Sequence, residues 1–102
     1  MIRPLIAAVA VVAFGTAPAH SVSQKNKLFS STALTVKPGE EVDFVNDDAV
    51  VHNVFSGTPG FAFNLKTQAP GSTAQITFDK EGAIDVRCAI HPTMKLTITI
   101  KH

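Results

Sequence analysis

The chain has 102 residues, of which 45% are hydrophobic, and its nine Lys and Arg residues nearly balance its eight Asp and Glu residues, giving a formal net charge of +1. This balance excludes the strongly basic surface of a typical nucleic-acid-binding domain, and the length allows one small domain. The single cysteine excludes an internal disulfide as a source of stability.

The first 19 residues have the organisation of a secretory signal peptide. Arg3 precedes an unbroken apolar run over residues 5–14, and Ala17 and Ala19 form the small-residue pattern of a cleavage site. The run is shorter than the roughly 20 apolar residues that a membrane span needs. We therefore predict cleavage after Ala19, a periplasmic location, no membrane span after cleavage, and one domain over residues 20–102. Without Arg3, residues 20–102 contain eight Lys and Arg residues and eight Asp and Glu residues, so their formal net charge is zero.

The first half of the predicted domain consists of short alternating segments separated by turns. Residues 20–27 are polar and lack a period, which predicts a loose start or a short edge strand. Apolar side chains then alternate on either side of a Pro-Gly turn at residues 37–40, first at Leu34 and Val36 and then at Val42 and Phe44. The acidic side chains nearby are predicted to lie on a solvated edge and turn rather than on a partner-docking patch; they are Glu40, Glu41, Asp43, Asp47 and Asp48.

The second half continues the same pattern. Val50, His52 and Val54 are predicted to share one face, and residues 57–60 break the run. After an ambiguous segment at 61–66 and a turn at 69–72, three apolar alternations follow: Ala74, Ile76 and Phe78; Ile84, Val86 and Cys88; and Leu96, Ile98 and Ile100. No window shows a sustained helical period. The pattern predicts an all-β antiparallel sandwich or barrel of about six to eight short strands.

Four side chains form a candidate metal site. Cys88, His91 and Met94 lie within seven residues of one another, and the strand period points Cys88 and Met94 towards the core together with His52. A thiolate, two imidazoles and a thioether suit one copper ion per chain that cycles between Cu(I) and Cu(II), whereas structural zinc sites usually contain more cysteines.

Each of these residues also has a simpler interpretation when it is considered alone. Cys88 could be a small buried hydrophobe, His52 a satisfied core histidine and Met94 a filler of the core. His20 would become the new amino terminus after cleavage, where its amine and imidazole could chelate Cu(II).

The motifs around these residues resemble those of the cupredoxins, the type 1 blue copper proteins. The resemblance covers about residues 28–101 and is strongest at His52-Asn53-Val54 and over residues 88–94, where the short gap between His91 and Met94 is similar to that of the amicyanins. It implies a Greek-key fold, with His52, Cys88 and His91 as equatorial ligands and Met94 as the axial ligand. It also implies that Asn53 fixes the ligand loops and hydrogen-bonds near the thiolate.

The resemblance implies a periplasmic carrier of single electrons that is not an enzyme. A redox donor and a redox acceptor would dock transiently near His91, and the protein would be a monomer with no nucleic-acid partner. Two alternatives use the same residues. One is a copper-binding module for periplasmic copper scavenging or delivery. The other is a Cys–His hydrolase in which Cys88 is the nucleophile and His91 the base.

Overall fold

The computed structural model describes residues 20–102, so the predicted signal peptide at residues 1–19 lies outside the described residues. The described part contains nine strands: β1 His20–Lys25, β2 Leu28–Phe29, β3 Ala33–Val36, β4 Glu41–Asn46, β5 Val54–Ser56, β6 Phe63–Asn64, β7 Thr73–Thr77, β8 Gly82–Cys88 and β9 Lys95–Ile100. Within residues 20–102, no helix has the length and apolar character to cross a membrane.

The strands form two sheets, which confirms the predicted all-β sandwich. One sheet has the order β3-β9-β8-β5-β6 and the other the order β2-β1-β4-β7. The predicted antiparallel arrangement is only partly exact, because most strand pairs are antiparallel but β3 pairs with β9 and β1 pairs with β4 in parallel. The described residues form nine strands rather than six to eight, because β2 and β6 have only two residues each and are too short to show alternation. Alternation identifies a strand and its buried face, but it does not reveal the direction of a partner that is distant in sequence.

The first strand differs from the predicted loose start or edge strand. β1 lies inside its sheet between β2 and β4, and its Val22 and Gln24 side chains are fully buried. Only one of these two inward residues is apolar, so the segment has a weak hydrophobic signal. A two-residue turn joins β1 to β2, and Asn26 and Lys27 both have positive φ, at 53° and 59°. Such turns match the twist of a hairpin.

The core is built from the faces that the alternation predicted. Ile84, Val86 and Cys88 of β8 are buried, and so are Leu96, Ile98 and Ile100 of β9. β8 and β9 pair in antiparallel register from Arg87–Lys95 to Gly82–Ile100. The segment that joins them therefore starts at Cys88 and returns after only six residues, which fixes both of its ends against the core.

Candidate metal centre

The short loop between β8 and β9 carries two of the predicted ligands, His91 and Met94, and a third, Cys88, directly precedes it. Cys88 ends β8 with its side chain buried, and Met94, which precedes β9, is also fully buried. A turn closes the loop, because the Met94 backbone N–H donates to the His91 carbonyl at 3.1 Å. The Ala89 N–H donates to the Asn53 carbonyl at 2.9 Å, which ties this loop to the segment that contains His52.

His52 lies between β4 and β5 and is fully buried. An isolated bridge with Gln68 holds its backbone, with hydrogen bonds of 3.2 Å from the His52 N–H and 2.7 Å to the His52 carbonyl. Val54 pairs with Cys88 in the sheet, so His52 precedes the partner of Cys88 by two residues. The predicted face was wrong at Val50, which is 38% exposed, because β5 starts only at Val54 and the chain before it has left the sheet.

Three of the predicted ligands converge. The His52 and His91 Nδ1 atoms lie 3.1 Å apart, and the Cys88 Sγ lies 3.8 Å from each of them. A point equidistant from these three atoms is about 2.1 Å from each, which is within the range of a bond between a first-row metal and an imidazole nitrogen. In the part of the chain that the structure describes, these residues form the cluster of donors that is suited to a metal ion.

The donor set fits copper better than it fits zinc. One thiolate and two imidazoles in a triangle match the trigonal arrangement of blue copper sites, in which a weak axial thioether completes the coordination. Met94 is fully buried at the end of the same loop, and its thioether is the type of donor that this axial position takes. Closed structural zinc sites instead use four strong ligands in a tetrahedron.

Asn53 contacts the thiol through its backbone. Its N–H donates to the Cys88 Sγ at 3.4 Å, while its side-chain amide donates to the Asn64 Oδ1 at 2.8 Å. The backbone bond places a donor on the sulfur, and the side-chain bond fastens the His52 segment to β6. Both contacts suit a residue that fixes ligand loops from outside the ligand set.

His52 has a second hydrogen-bond partner that the sequence did not indicate. Its Nε2 lies 3.0 Å from the Asp48 Oδ2, on the side of the ring opposite the Nδ1 that faces Cys88. Asp48 lies in the predicted turn between strands, but its carboxylate is half-buried against His52 rather than freely solvated. A spacing of four residues before a histidine outside a helix is not by itself a signal for such a contact.

His91 is half-buried, in contrast to the fully buried His52. Desolvation is the main reason that the pKa of His91 is lowered in the metal-free fold, and repulsion from His52 and Lys27 adds to it, while Asp48 acts in the opposite sense. The neighbouring Ile90 is 47% exposed, so the loop presents an apolar side chain to solvent beside His91.

The other two histidines of the described chain lie against carboxylates. The His20 Nε2 is 2.8 Å from the Glu40 Oε1, and the His102 Nδ1 is 2.6 Å from the Glu81 Oε2. Neither histidine belongs to the donor cluster of His52, Cys88 and His91.

Comparison with known proteins agrees with this geometry. The profile of the copper binding proteins of the plastocyanin/azurin family matches residues 17–101. Amicyanin-alpha from Methylorubrum extorquens is 31% identical over 101 residues, covering 94% of this chain and 85% of that protein. Methylamine utilization protein MauL from the same organism is 31% identical over 68 residues, covering 66% of this chain and 60% of MauL. The MauL of Methylophilus methylotrophus is 27% identical, and the match spans about half of its length.

Solved structures show the same fold. A Cu(I) form of an amicyanin variant superposes with a TM-score of 0.75 at 26% identity, covering 81% of this chain and 82% of that one. The copper-containing nitrite reductase of Thermus scotoductus gives a TM-score of 0.77 at 25% identity, but the match covers only 23% of that larger chain. On the family profile, the amicyanin relative and the shared fold, this chain belongs to the plastocyanin/azurin family of copper-binding proteins, the cupredoxins, and its cofactor is a single type 1 copper ion.

Proposed function

We propose that this protein is a periplasmic carrier of single electrons, in which His52, Cys88 and His91 are the equatorial copper ligands and Met94 is the axial ligand. The observation that carries the proposal is the triangle of two Nδ1 atoms and one Sγ, with sides of 3.1, 3.8 and 3.8 Å. Bound copper would supply a one-electron couple between Cu(II) and Cu(I). The export signal predicted at residues 1–19 supports the location.

The surroundings of the ligands favour fast electron transfer because they hold the triangle in place. His52 is fully buried and bridged to Gln68, and Cys88 is buried at the end of the long strand β8. The Asn53 backbone connects the two, since its N–H donates to the Cys88 Sγ and its carbonyl accepts from the Ala89 N–H. Ligands that are fixed in this way move little when the charge of the metal changes, so little energy is spent on reorganisation.

His91 is the proposed point at which electrons enter and leave. It is the more exposed of the two histidine ligands, and the exposed Ile90 and Pro92 flank it in the loop. An apolar rim of this kind can be desolvated briefly by a partner without the cost of stripping charges. We propose that a redox donor and a redox acceptor dock here in turn on a monomeric protein that performs no chemistry on a substrate of its own.

A hydrolase would need a substrate cleft beside Cys88 and His91. A cavity of about 320 Å³ does exist in the described part of the chain, but residues 60–63 and 76–80 line it, and neither Cys88 nor His91 contributes to it. The buried Cys88 side chain supports a role as ligand rather than as nucleophile.

The test of an electron carrier compares two rates on the copper-loaded protein. Electron self-exchange is measured by NMR line broadening in mixtures of the oxidised and reduced forms, and copper loss is measured by transfer to a chelator. We expect self-exchange to be fast and copper transfer to be slow. Slow self-exchange together with rapid copper transfer would instead support the alternative of copper scavenging or delivery.

A change of Met94 to leucine tests the axial position. Met94→Leu preserves volume at a fully buried site, but it removes a weak donor that favours Cu(II). We therefore expect the visible colour to remain and the reduction potential to rise, as measured by voltammetry. Leu96→Met, which adds a thioether at a buried position two residues along, is the control and should leave the potential unchanged. Loss of copper from Met94→Leu would show that the axial assignment is wrong.

A further inference from the structure

The ring of His52 is held at both of its nitrogens. The Nε2 lies 3.0 Å from the Asp48 Oδ2, and the Nδ1 faces Cys88 and His91. A carboxylate without a proton can only accept a hydrogen bond, so the Nε2 must be the donor in this contact. A neutral imidazole carries one proton, and the Nδ1 is therefore left with a free lone pair on the side of the metal site.

Asp48 is itself fixed by several donors. The Lys27 N–H, from the turn between β1 and β2, donates to the same Oδ2 at 2.9 Å, and the Ala49 N–H donates to the Oδ1 at 2.8 Å. The Asp48 N–H in turn donates to the Oδ1 of the fully buried Asn46 at 2.9 Å. These contacts leave the carboxylate little freedom to turn away from His52.

The carboxylate remains charged in neutral solution. The N–H groups of Lys27 and Ala49 and the His52 Nε2 all donate to it, and hydrogen bonds of this kind favour the charged form of a carboxyl group. A negative charge behind a ligand makes that ligand a stronger donor. It also stabilises the doubly charged Cu(II) more than the singly charged Cu(I), because the Coulomb interaction scales with the charge.

We propose that Asp48 is a positioning residue for the copper site, which sets the tautomer and orientation of His52 and lowers the reduction potential by favouring Cu(II). The proposal rests on His52 being a copper ligand, as proposed above. The turn at Asn26 and Lys27 joins β1 and β2 of the four-stranded sheet. Through its hydrogen bond to Asp48, this turn also supports the metal site.

The experiment compares Asp48→Asn with Asp47→Asn on the copper-loaded protein. Both changes remove one negative charge, but Asp47 is exposed and its Oδ2 accepts a hydrogen bond from the Ser23 hydroxyl rather than from a ligand. The measurements are the visible spectrum, the reduction potential and the affinities for Cu(II) and Cu(I) by competition with chelators.

We expect Asp48→Asn to keep the visible band, to lose about 10- to 100-fold in Cu(II) affinity and to lose less in Cu(I) affinity. The potential should rise by about 59 mV for each tenfold difference between the two losses. Asp48→Glu should recover part of the shift, and Asp47→Asn should change neither affinity nor potential. Equal shifts in the two asparagine variants, or no shift in Asp48→Asn, would overturn the proposal.

The role of Asp48 can also be tested without a variant, and its failure can be told apart from a failure of the proposed function. If Asp48→Asn does not fold, proton NMR of the reduced wild-type protein decides the question. A downfield, slowly exchanging His52 Nε2 proton supports the contact with Asp48, and a rapidly exchanging one overturns it. If the wild-type protein itself has no intense visible band, the proposed function has failed, and that result is distinct from a missing effect of Asp48.

Discussion

Replacing Cys88 with alanine is expected to abolish the intense visible absorption of the oxidised copper protein. The Cys88 Sγ supplies the only thiolate of the chain, and charge transfer from a thiolate to Cu(II) is the source of the colour that we expect. The variant also lacks one of the three donors of the triangle, so copper should bind more weakly. The measurement is the visible spectrum after addition of one equivalent of Cu(II).

The same change should remove most of the stabilisation that copper gives to the fold. A ligand that binds only the folded state at 100 times its dissociation constant adds about 2.7 kcal/mol to the free energy of unfolding. Wild-type protein should therefore melt at a clearly higher temperature with copper than without it, and Cys88→Ala should show little difference. Ala89→Ser, in the exposed next position, is the control and should keep both the colour and the copper-dependent shift. A Cys88→Ala variant that stays intensely coloured would contradict the assignment.

The reduction potential is expected to rise as the pH falls through the mildly acidic range. His91 is half-buried beside exposed residues, and a proton can compete for its Nδ1 once copper is reduced, because Cu(I) tolerates three ligands better than Cu(II) does. Protonation then favours the reduced state. Below the pKa of His91 in the reduced protein, the potential should approach a rise of about 59 mV per pH unit, since one proton accompanies one electron.

The position of this effect on the pH scale follows from the surroundings of His91. Desolvation lowers the pKa of His91 in the metal-free fold, and Cu(I) bound to His91 would compete with the proton as well, so we expect protonation in the reduced protein only below the ordinary histidine range. The metal-free fold then binds fewer protons than the unfolded chain, and its stability falls as the pH drops through this range. The measurement is voltammetry across neutral to mildly acidic pH, with NMR of the His91 ring in the reduced protein.

His20→Ala serves as the control for this prediction, because His20 lies against Glu40 and not at the metal site. It should keep the full pH dependence. His52 should stay bound at every pH in the range, since its ring is fully buried. A potential that stays flat, with His91 still bound at low pH, would show that His91 is not the displaceable ligand.

The strands and the inward ligands could be predicted from the sequence because each depends on a local period. Cys88 follows Ile84 and Val86 on one face of β8, and Met94 precedes the buried face of β9, so their burial follows from alternation alone. The same reasoning failed at Val50, because β5 starts only at Val54 and residues outside a strand need not alternate between two faces. Resemblance to a known family, rather than periodicity, supplied the distinction between equatorial and axial ligands.

The features that the sequence did not indicate depend on contacts between distant segments. The internal position of β1 arises from parallel pairing with β4, and a single inward apolar residue, Val22, gives that strand little hydrophobic signal. The contact of Asp48 with His52 depends on the turn at Lys27, which lies about twenty residues earlier. Neither the spacing nor the composition around Asp48 distinguishes it from the exposed Asp47 beside it.

The visible spectrum of the oxidised, copper-loaded wild-type protein tests the central claim most directly. A site built from Cys88, His52, His91 and Met94 predicts one copper per chain and an intense thiolate-to-Cu(II) band in the visible region. The chain has no Trp and no Tyr, so near-ultraviolet absorption should be weak and the visible band should dominate the spectrum. A colourless complex with one bound Cu(II) would contradict the blue copper site.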